Sequence, residues 1–239
     1  MPKQETHNGL TCLFDEANHT YTIKETGQVL TSVTTFIKQF FPVFDTDAIS
    51  KKTAKKRGVD VDGLKAEWKQ MGEDASAQGD MVHRYAEYLM NIYIAFDGPE
   101  NDPRFKQVKI ACKILKSKFH FAFAEKIIFS PDLGLAGMID LWMVDVFKDR
   151  IILIDWKTNK ELKDINAYQS GLPPIEHLDD CNYNCFALQL SLYQYIMIHE
   201  KYSNTPTTFQ RVIIHIGKTF NKPYIMPYLK DEIERMLFC

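Results

Sequence analysis

Apolar residues change their spacing along the chain near residue 120, and the elements they predict change with it. Before that point strand-like alternation is brief: Tyr21-Thr22-Ile23 and Gln28-Val29-Leu30-Thr31 flank the turn signal Glu25-Thr26-Gly27. This predicts a hairpin over 19–33, with Gly27 at a positive φ. Thr31 or Ser32 caps a helix that reaches Phe41 and is stopped by Pro42. From Asp45 to Gly79 the chain is polar and rich in Ala, Lys and Glu, so helices separated by a turn region at Gly58 to Gly63 are expected. Gly79 is expected to open a further helix, Met81 to about Ile94, closed by Asp97-Gly98-Pro99. Arg104 to Phe119 places Phe105, Val108, Ile114 and Leu115 at helical spacing.

After residue 120 the pattern becomes that of strands. Phe121 to Phe129, Ala136 to Val146 and Arg150 to Trp156 are rich in β-branched and aromatic residues and are divided by Pro131-Asp132-Leu133-Gly134 and Lys148-Asp149. They predict three consecutive antiparallel strands. A polar connector with Gly171, Pro173 and Pro174 leads to a helix from about Tyr183 to Tyr202, a strand at Gln210 to Ile216 and a last helix at Leu229 to Phe238. Without repeats or a long linker, the chain reads as a single domain over 1–239 of α/β or α+β class. A hairpin and helical part occupies 1–78, and a small mixed sheet flanked by helices occupies 79–239.

Composition narrows the function classes. The 239 residues are 45% hydrophobic and 25% charged, as in a soluble globular domain, which excludes collagen-like and disordered readings. The formal charge of −2 announces neither a nucleic-acid nor a membrane partner. The longest apolar run, Tyr88 to Phe96, is broken by Asn91 and falls far short of the roughly 18 residues of a membrane span. Met1 to Asn8 is polar and resembles no secretory signal, so residence in the cytoplasm is expected, the host's if the chain is viral or phage-encoded. The odd, scattered cysteines Cys12, Cys112, Cys181, Cys185 and Cys239 are expected to be free thiols.

The residues that point to chemistry lie on the predicted strands. In a strand, Asp155 and Lys157 project to one face. A turn near Phe147 to Asp149 lays Asp140, on the preceding strand, close to Asp155. Two carboxylates in a partly buried place repel unless a cation lies between them, and Mg²⁺ or Mn²⁺ suits oxygen ligands. Such an ion beside a lysine equips a site for phosphodiester hydrolysis. Taken alone, Asp-x-Lys reads more readily as a surface salt bridge.

Further residues occur in a fixed order with this pair. Gly79-Asp80-Met81-Val82-His83-Arg84-Tyr85-Ala86-Glu87 has the form G-x-x-x-H-x-x-x-E, followed by Glu125, by Gly137 with Asp140, by Asp155 with Lys157, and by Gln189 with Tyr193. In this series the chain resembles the PD-(D/E)XK nuclease superfamily, in its RecB-like and phage-exonuclease-like branch. The resemblance implies a restriction-endonuclease-like core and a Mg²⁺- or Mn²⁺-dependent deoxyribonuclease. Its implied metal ligands are Asp140, Asp155, the Trp156 carbonyl and His83; Lys157 is the implied catalytic lysine. Glu87, Glu125, Gln189 and Tyr193 are implied to support the site or touch substrate. Ile139, not proline, precedes Asp140, and the second acidic position is Asp155, one methylene shorter than glutamate.

The activity implied is that of an exonuclease on DNA ends or single strands in viral or phage-type replication, recombination, repair or genome processing. An endonuclease is the nearest alternative, and a non-catalytic nucleic-acid-binding protein on the same fold is the alternative of another class. Some relatives hold an iron–sulfur cluster through one early and three late cysteines; the late group is missing here, and no cluster is expected. Residues 51–70 carry seven basic and three acidic side chains, and 104–119 six basic and none acidic. Lys51, Lys52, Lys55, Lys56, Arg57, Lys109, Lys113 and Lys116 are therefore candidate DNA-phosphate contacts as well as ordinary solvated faces. Phe40, Phe41, Phe44 and Trp68 are candidate stacking platforms for bases, with core packing the plainer use.

Overall fold

The structure is a computed structural model and describes residues 3–91, 96, 98, 101–119, 121–203 and 208–238. Among these, nine strands join one mixed sheet and six helices cover it. Strands β1 (Lys3–His7), β2 (Leu10–Asp15), β3 (Thr20–Ile23) and β4 (Val29–Ser32) form an antiparallel meander. β4 then runs parallel to β6 (Leu135–Asp145). β6 pairs antiparallel with both β5 (Phe121–Ser130) and β7 (Arg150–Lys157), as strands divided by short turns predict. β8 (Thr208–Ile216) lies parallel to β7, and β9 (Asn221–Met226) ends the sheet antiparallel to β8.

The sheet is larger than expected, because β1, β2 and β9 do not stand out in the sequence. In β2 the inward residues Cys12 and Phe14 alternate with Leu13, whose apolar side chain on the other face hides the period. Pro223 lies within β9, and a proline argues against a central strand; β9 is an edge strand, where a missing N–H is tolerated.

The helices start on side chains that the sequence supplies. Ser32 accepts from Thr35 N at the start of α1 (Val33–Lys38), which ends three residues before the expected Phe41. Asp45 caps α2 (Thr46–Arg57), and Gly58 ends it at a φ of +68°. Asp60 accepts from Gly63 N to open α3 (Val61–Met90). Here the structure departs from expectation: α3 runs unbroken through Gly79, and no new helix begins there. Glycine costs a helix interior only about 1 kcal/mol relative to alanine, too little to break a 30-residue helix packed along its last three turns. The expected end near Ile94 and most of the Asp97-Gly98-Pro99 turn lie outside the described residues. Asp102 and Pro103 start α4 (Pro103–Lys118), and α5 (Asn182–His199) and α6 (Lys230–Phe238) follow the connector.

The central strand β7 explains how the layers are built. Ile151 and Leu153 face a core made with α1, α5 and α6; Ile152, Ile154 and Trp156 face one made with α3 and α4. Both faces are covered, so four successive aliphatic residues are buried. The period of two then carries Asp155 and Lys157 to the α5 side. Among the described residues no helix is long and apolar enough to cross a membrane.

Candidate active site

The site forms where β6 exchanges one neighbour for another. On one edge, β6 pairs with β4 through Ala136 and with β7 only from Leu141 onward. Gly137 to Asp140 stand in the fork between β4 and β7, and Leu141 opposite Ile154 brings Asp140 beside Asp155. Helix α3 reaches this fork from one face and α5 from the other.

Asp140 Oδ2 accepts from the Trp156 N–H at 2.8 Å and lies 3.3 Å from His83 Nδ1. The other ring nitrogen, Nε2, is 2.9 Å from the Trp156 carbonyl oxygen. The peptide of Trp156 thus offers its N–H to Asp140 and its carbonyl to His83. On the α5 side, Gln189 Nε2 donates to Asp155 Oδ1 at 3.1 Å and to the Tyr193 hydroxyl at 3.2 Å. Lys157 Nζ is 2.6 Å from Asp155 Oδ2 and 4.6 Å from the centre of the Phe186 ring. The Lys157 ammonium faces Asp155 Oδ2, on a residue only 2% exposed, as a buried ion pair. Burial and the neighbouring Asp140 still raise the cost of ionising Asp155 beyond what Lys157 offsets, and a further cation would relieve it.

Gly137 is small because of what crosses it. A Cβ there would come within 2.5 Å of Tyr193 Cε1, so the ring lies against the bare backbone of β6 on its way to Gln189. Gly79 is different: a Cβ would meet only Thr158 Oγ1 at 3.5 Å, an ordinary contact.

Glu125 enters from β5 with a backbone φ of +51°, a conformation that costs a non-glycine residue on the order of 1–3 kcal/mol. Its flanking pairs, Ala124 with Leu141 and Lys126 with Ile139, hold the ladder in one register on both sides, and the strained residue falls opposite Asp140. His83, Glu125 and Asp140 bring their ligating atoms within 4.8 Å of one another. The resemblance makes Glu125 a supporting residue; the geometry puts it among the atoms able to hold a cation. Glu87, one turn beyond His83, belongs to the same group through Lys3, whose Nζ is 3.5 Å from Glu87 and 3.4 Å from Glu125. Sequence reasoning misses Lys3. The trace it leaves in the sequence is the alternation Lys3, Glu5, His7 on one face of β1, where Glu5 pairs with Lys126 at 2.6 Å and holds the strand across β5.

The electrostatics follow from this crowding. Burial pushes the Glu125 carboxyl up to about 7, and the neighbouring Asp140 adds to the shift. Burial and Asp140 likewise raise Asp155. Burial also opposes ionisation of Asp140, but His83 and Lys157 outweigh it and hold that carboxyl below the usual range. For His83 burial favours the neutral ring, and the charge of Asp140 overcomes it, lifting the imidazole to about 9. Burial would lower Lys157, yet Asp155 and Asp140 keep it raised and charged.

These groups line a cavity of about 610 Å³ walled by α3, β6 and the β2–β3 turn. Its carboxylates are Glu16, Asp80, Glu87, Glu125, Asp140 and Asp155; its lysines and arginine are Lys3, Arg84 and Lys157. An anionic phosphodiester is repelled by such a cavity until a cation enters. The donors fit a hard divalent ion: carboxylate oxygens, one peptide carbonyl and one imidazole.

The basic candidates lie elsewhere. Lys51, Lys52, Lys55, Lys56 and Arg57 are on α2, and Lys109, Lys113 and Lys116 are on α4; none lines the cavity. Lys116 also donates to the Leu89 carbonyl at the end of α3. Of the aromatic candidates, Phe41 is buried in the core and Phe40 packs on Phe36, while Phe44 stays 58% exposed beside Trp68. Cys12, Cys112, Cys181 and Cys185 are free thiols, and burial pushes Cys12, Cys112 and Cys185 up to about 12. Compared with known proteins, the chain matches no family model and no curated sequence.

Proposed function

We propose that this protein is a divalent-metal-dependent deoxyribonuclease with a restriction-endonuclease-like core of the PD-(D/E)XK type, acting as an exonuclease on DNA ends or single strands. The observation that carries the reading is the pair of neighbouring carboxylates Asp140 and Asp155 beside Lys157, within a fork that also gathers His83 and the Trp156 carbonyl. An ion pair that served folding alone would need one carboxylate for its lysine, not a second beside it that raises the cost of ionising the first. The order of Gly79, His83, Glu125, Asp140, Asp155, Lys157, Gln189 and Tyr193 along the chain supports the same class.

Asp140, Asp155, the Trp156 carbonyl and His83 would hold the ion, with Glu125 within reach of the same place. The ion, Mg²⁺ or Mn²⁺, supplies Lewis acidity to the phosphodiester and acidifies water. Everything else is done by the chain. Lys157, kept charged by Asp155 and fixed against Phe186, donates hydrogen bonds to the attacking water or to a non-bridging phosphate oxygen. Gln189 fixes Asp155 Oδ1, and the Tyr193 hydroxyl fixes Gln189, so the carboxylate cannot turn away. Asp140, held by the Trp156 N–H, keeps the β6 side of the fork in register with β7. Water attacks phosphorus in line and the P–O bond opposite breaks, leaving a phosphate monoester and a hydroxyl. The lysines of α2 and α4 are proposed to hold the DNA backbone outside the cavity.

The test is cleavage of end-labelled single-stranded, linear duplex and circular DNA with Mg²⁺, Mn²⁺ or EDTA. Loss of linear and not circular DNA, abolished by EDTA, is the expected result. Cutting of circles moves the assignment to an endonuclease, and DNA binding without cleavage of any substrate moves it to a binding protein on this fold.

A further inference from the structure

Four of the six carboxylates that line the cavity form two pairs, and each pair has one lysine. Asp140 and Asp155 come from neighbouring strands and have Lys157 on the α5 side. Glu87 and Glu125 come from α3 and β5 and have Lys3, delivered by β1 from the start of the chain. The two pairs are not equivalent. In the first, Lys157 pairs with Asp155 alone, at 2.6 Å, and a peptide carbonyl lies beside the pair. In the second, one ammonium already hydrogen-bonds both carboxylates, at 3.5 Å and 3.4 Å.

We propose that the Lys3 ammonium stands in for a second divalent ion, so that the site binds a single metal at the Asp140–Asp155 pair; this rests on the metal-dependent reading above. A compact ammonium with three donors satisfies two carboxylates as a point charge, without the ligand geometry that Mg²⁺ demands. The Glu5–Lys126 ion pair and the stacking of His7 on Tyr202, with ring centres 3.7 Å apart, anchor β1 and hold Lys3 in place. Glu125 is strained on the one residue of β5 that faces both Asp140 and Lys3, which lets a single carboxylate border the metal and the ammonium. Lys3 is then a positioning residue: it neutralises Glu87 and Glu125 and leaves the metal to the inner pair.

Isothermal titration of the metal-free protein with Mn²⁺ alone tests this. Wild type is expected to take up one ion, Lys3→Ala two, and Lys3→Arg one; the Mg²⁺ dependence of cleavage by Lys3→Ala is expected to steepen toward second order. Lys3 lies on an exposed edge strand, and a circular dichroism spectrum identical to wild type verifies the variant's fold. Two ions in wild type, or one ion in Lys3→Ala, would overturn the role of Lys3 and leave the metal-dependent reading intact. No ion bound by wild type would overturn both.

Discussion

Two parts of one helix follow opposite rules. The last turns of α3 bury Val82, Tyr85 and Ala86 and bring His83 to the fork between β4 and β7, whereas from Lys65 to Met81 no residue is buried. With α2, this outer half of α3 forms an arm held by Leu64, Ala54 and the Asp47–Lys65 and Arg57–Glu67 ion pairs. A helix polar on nearly all sides owes little to burial, so its sequence is free to carry charge. The inner site is constrained at every atom: strand register, a glycine under a tyrosine, a left-handed glutamate. Binding of a backbone tolerates approximate placement, whereas catalysis requires groups fixed to within a fraction of an ångström.

That contrast predicts effects of very different size. The largest fall at the inner site: Asp155→Ala or Lys157→Ala lowers the rate of DNA cleavage on the order of 10³-fold or more, while circular dichroism still reports the folded protein. Comparable turnover in either variant would break the distinction between the regions. Next comes Gly137→Ala, whose methyl collides with Tyr193. It is expected to cost about 1–3 kcal/mol of stability in thermal unfolding and to slow cleavage through the displaced Gln189.

Under the proposed function, changes on the arm act on binding. Replacing Lys51, Lys52, Lys55, Lys56 and Arg57 with glutamine raises KM for DNA about tenfold and makes its salt dependence shallower, by about 0.7 in log–log slope for each single-strand phosphate that the arm no longer neutralises. An unaltered salt slope would remove the arm from the DNA path. The smallest effect belongs to Gly79→Ala, at the junction of the two halves: with only Thr158 Oγ1 within reach of the new methyl, the variant is stabilised by up to about 1 kcal/mol through helix propensity. Destabilisation there would mean that the junction needs the glycine.

Much of the inner site is legible in the sequence because strand physics is simple. A period of two puts Asp155 and Lys157 on one face, and the matched arms on either side of the Phe147 to Asp149 turn bring Asp140 beside Asp155, as observed in the register. Spacing of four on helices foretells that His83 shares a face with Glu87, and Gln189 with Tyr193. The rest depends on long-range placement. Lys3 meets partners 84 and 122 residues away, which no local pattern encodes. The left-handed φ of Glu125 opposes the residue's own preference and is imposed by the sheet around it. The continuity of α3 through Gly79 is hidden because glycine reads as punctuation even where a helix merely passes through it.

The central claim is that Asp140 and Asp155 hold a divalent ion beside Lys157. Crystals of the protein soaked in Mn²⁺ and measured for anomalous scattering test it most directly. The account predicts one strong peak in the fork, in contact with Asp140, Asp155, His83 and the Trp156 carbonyl. The absence of a peak there at saturating Mn²⁺, or a peak bound only at other residues, would contradict it.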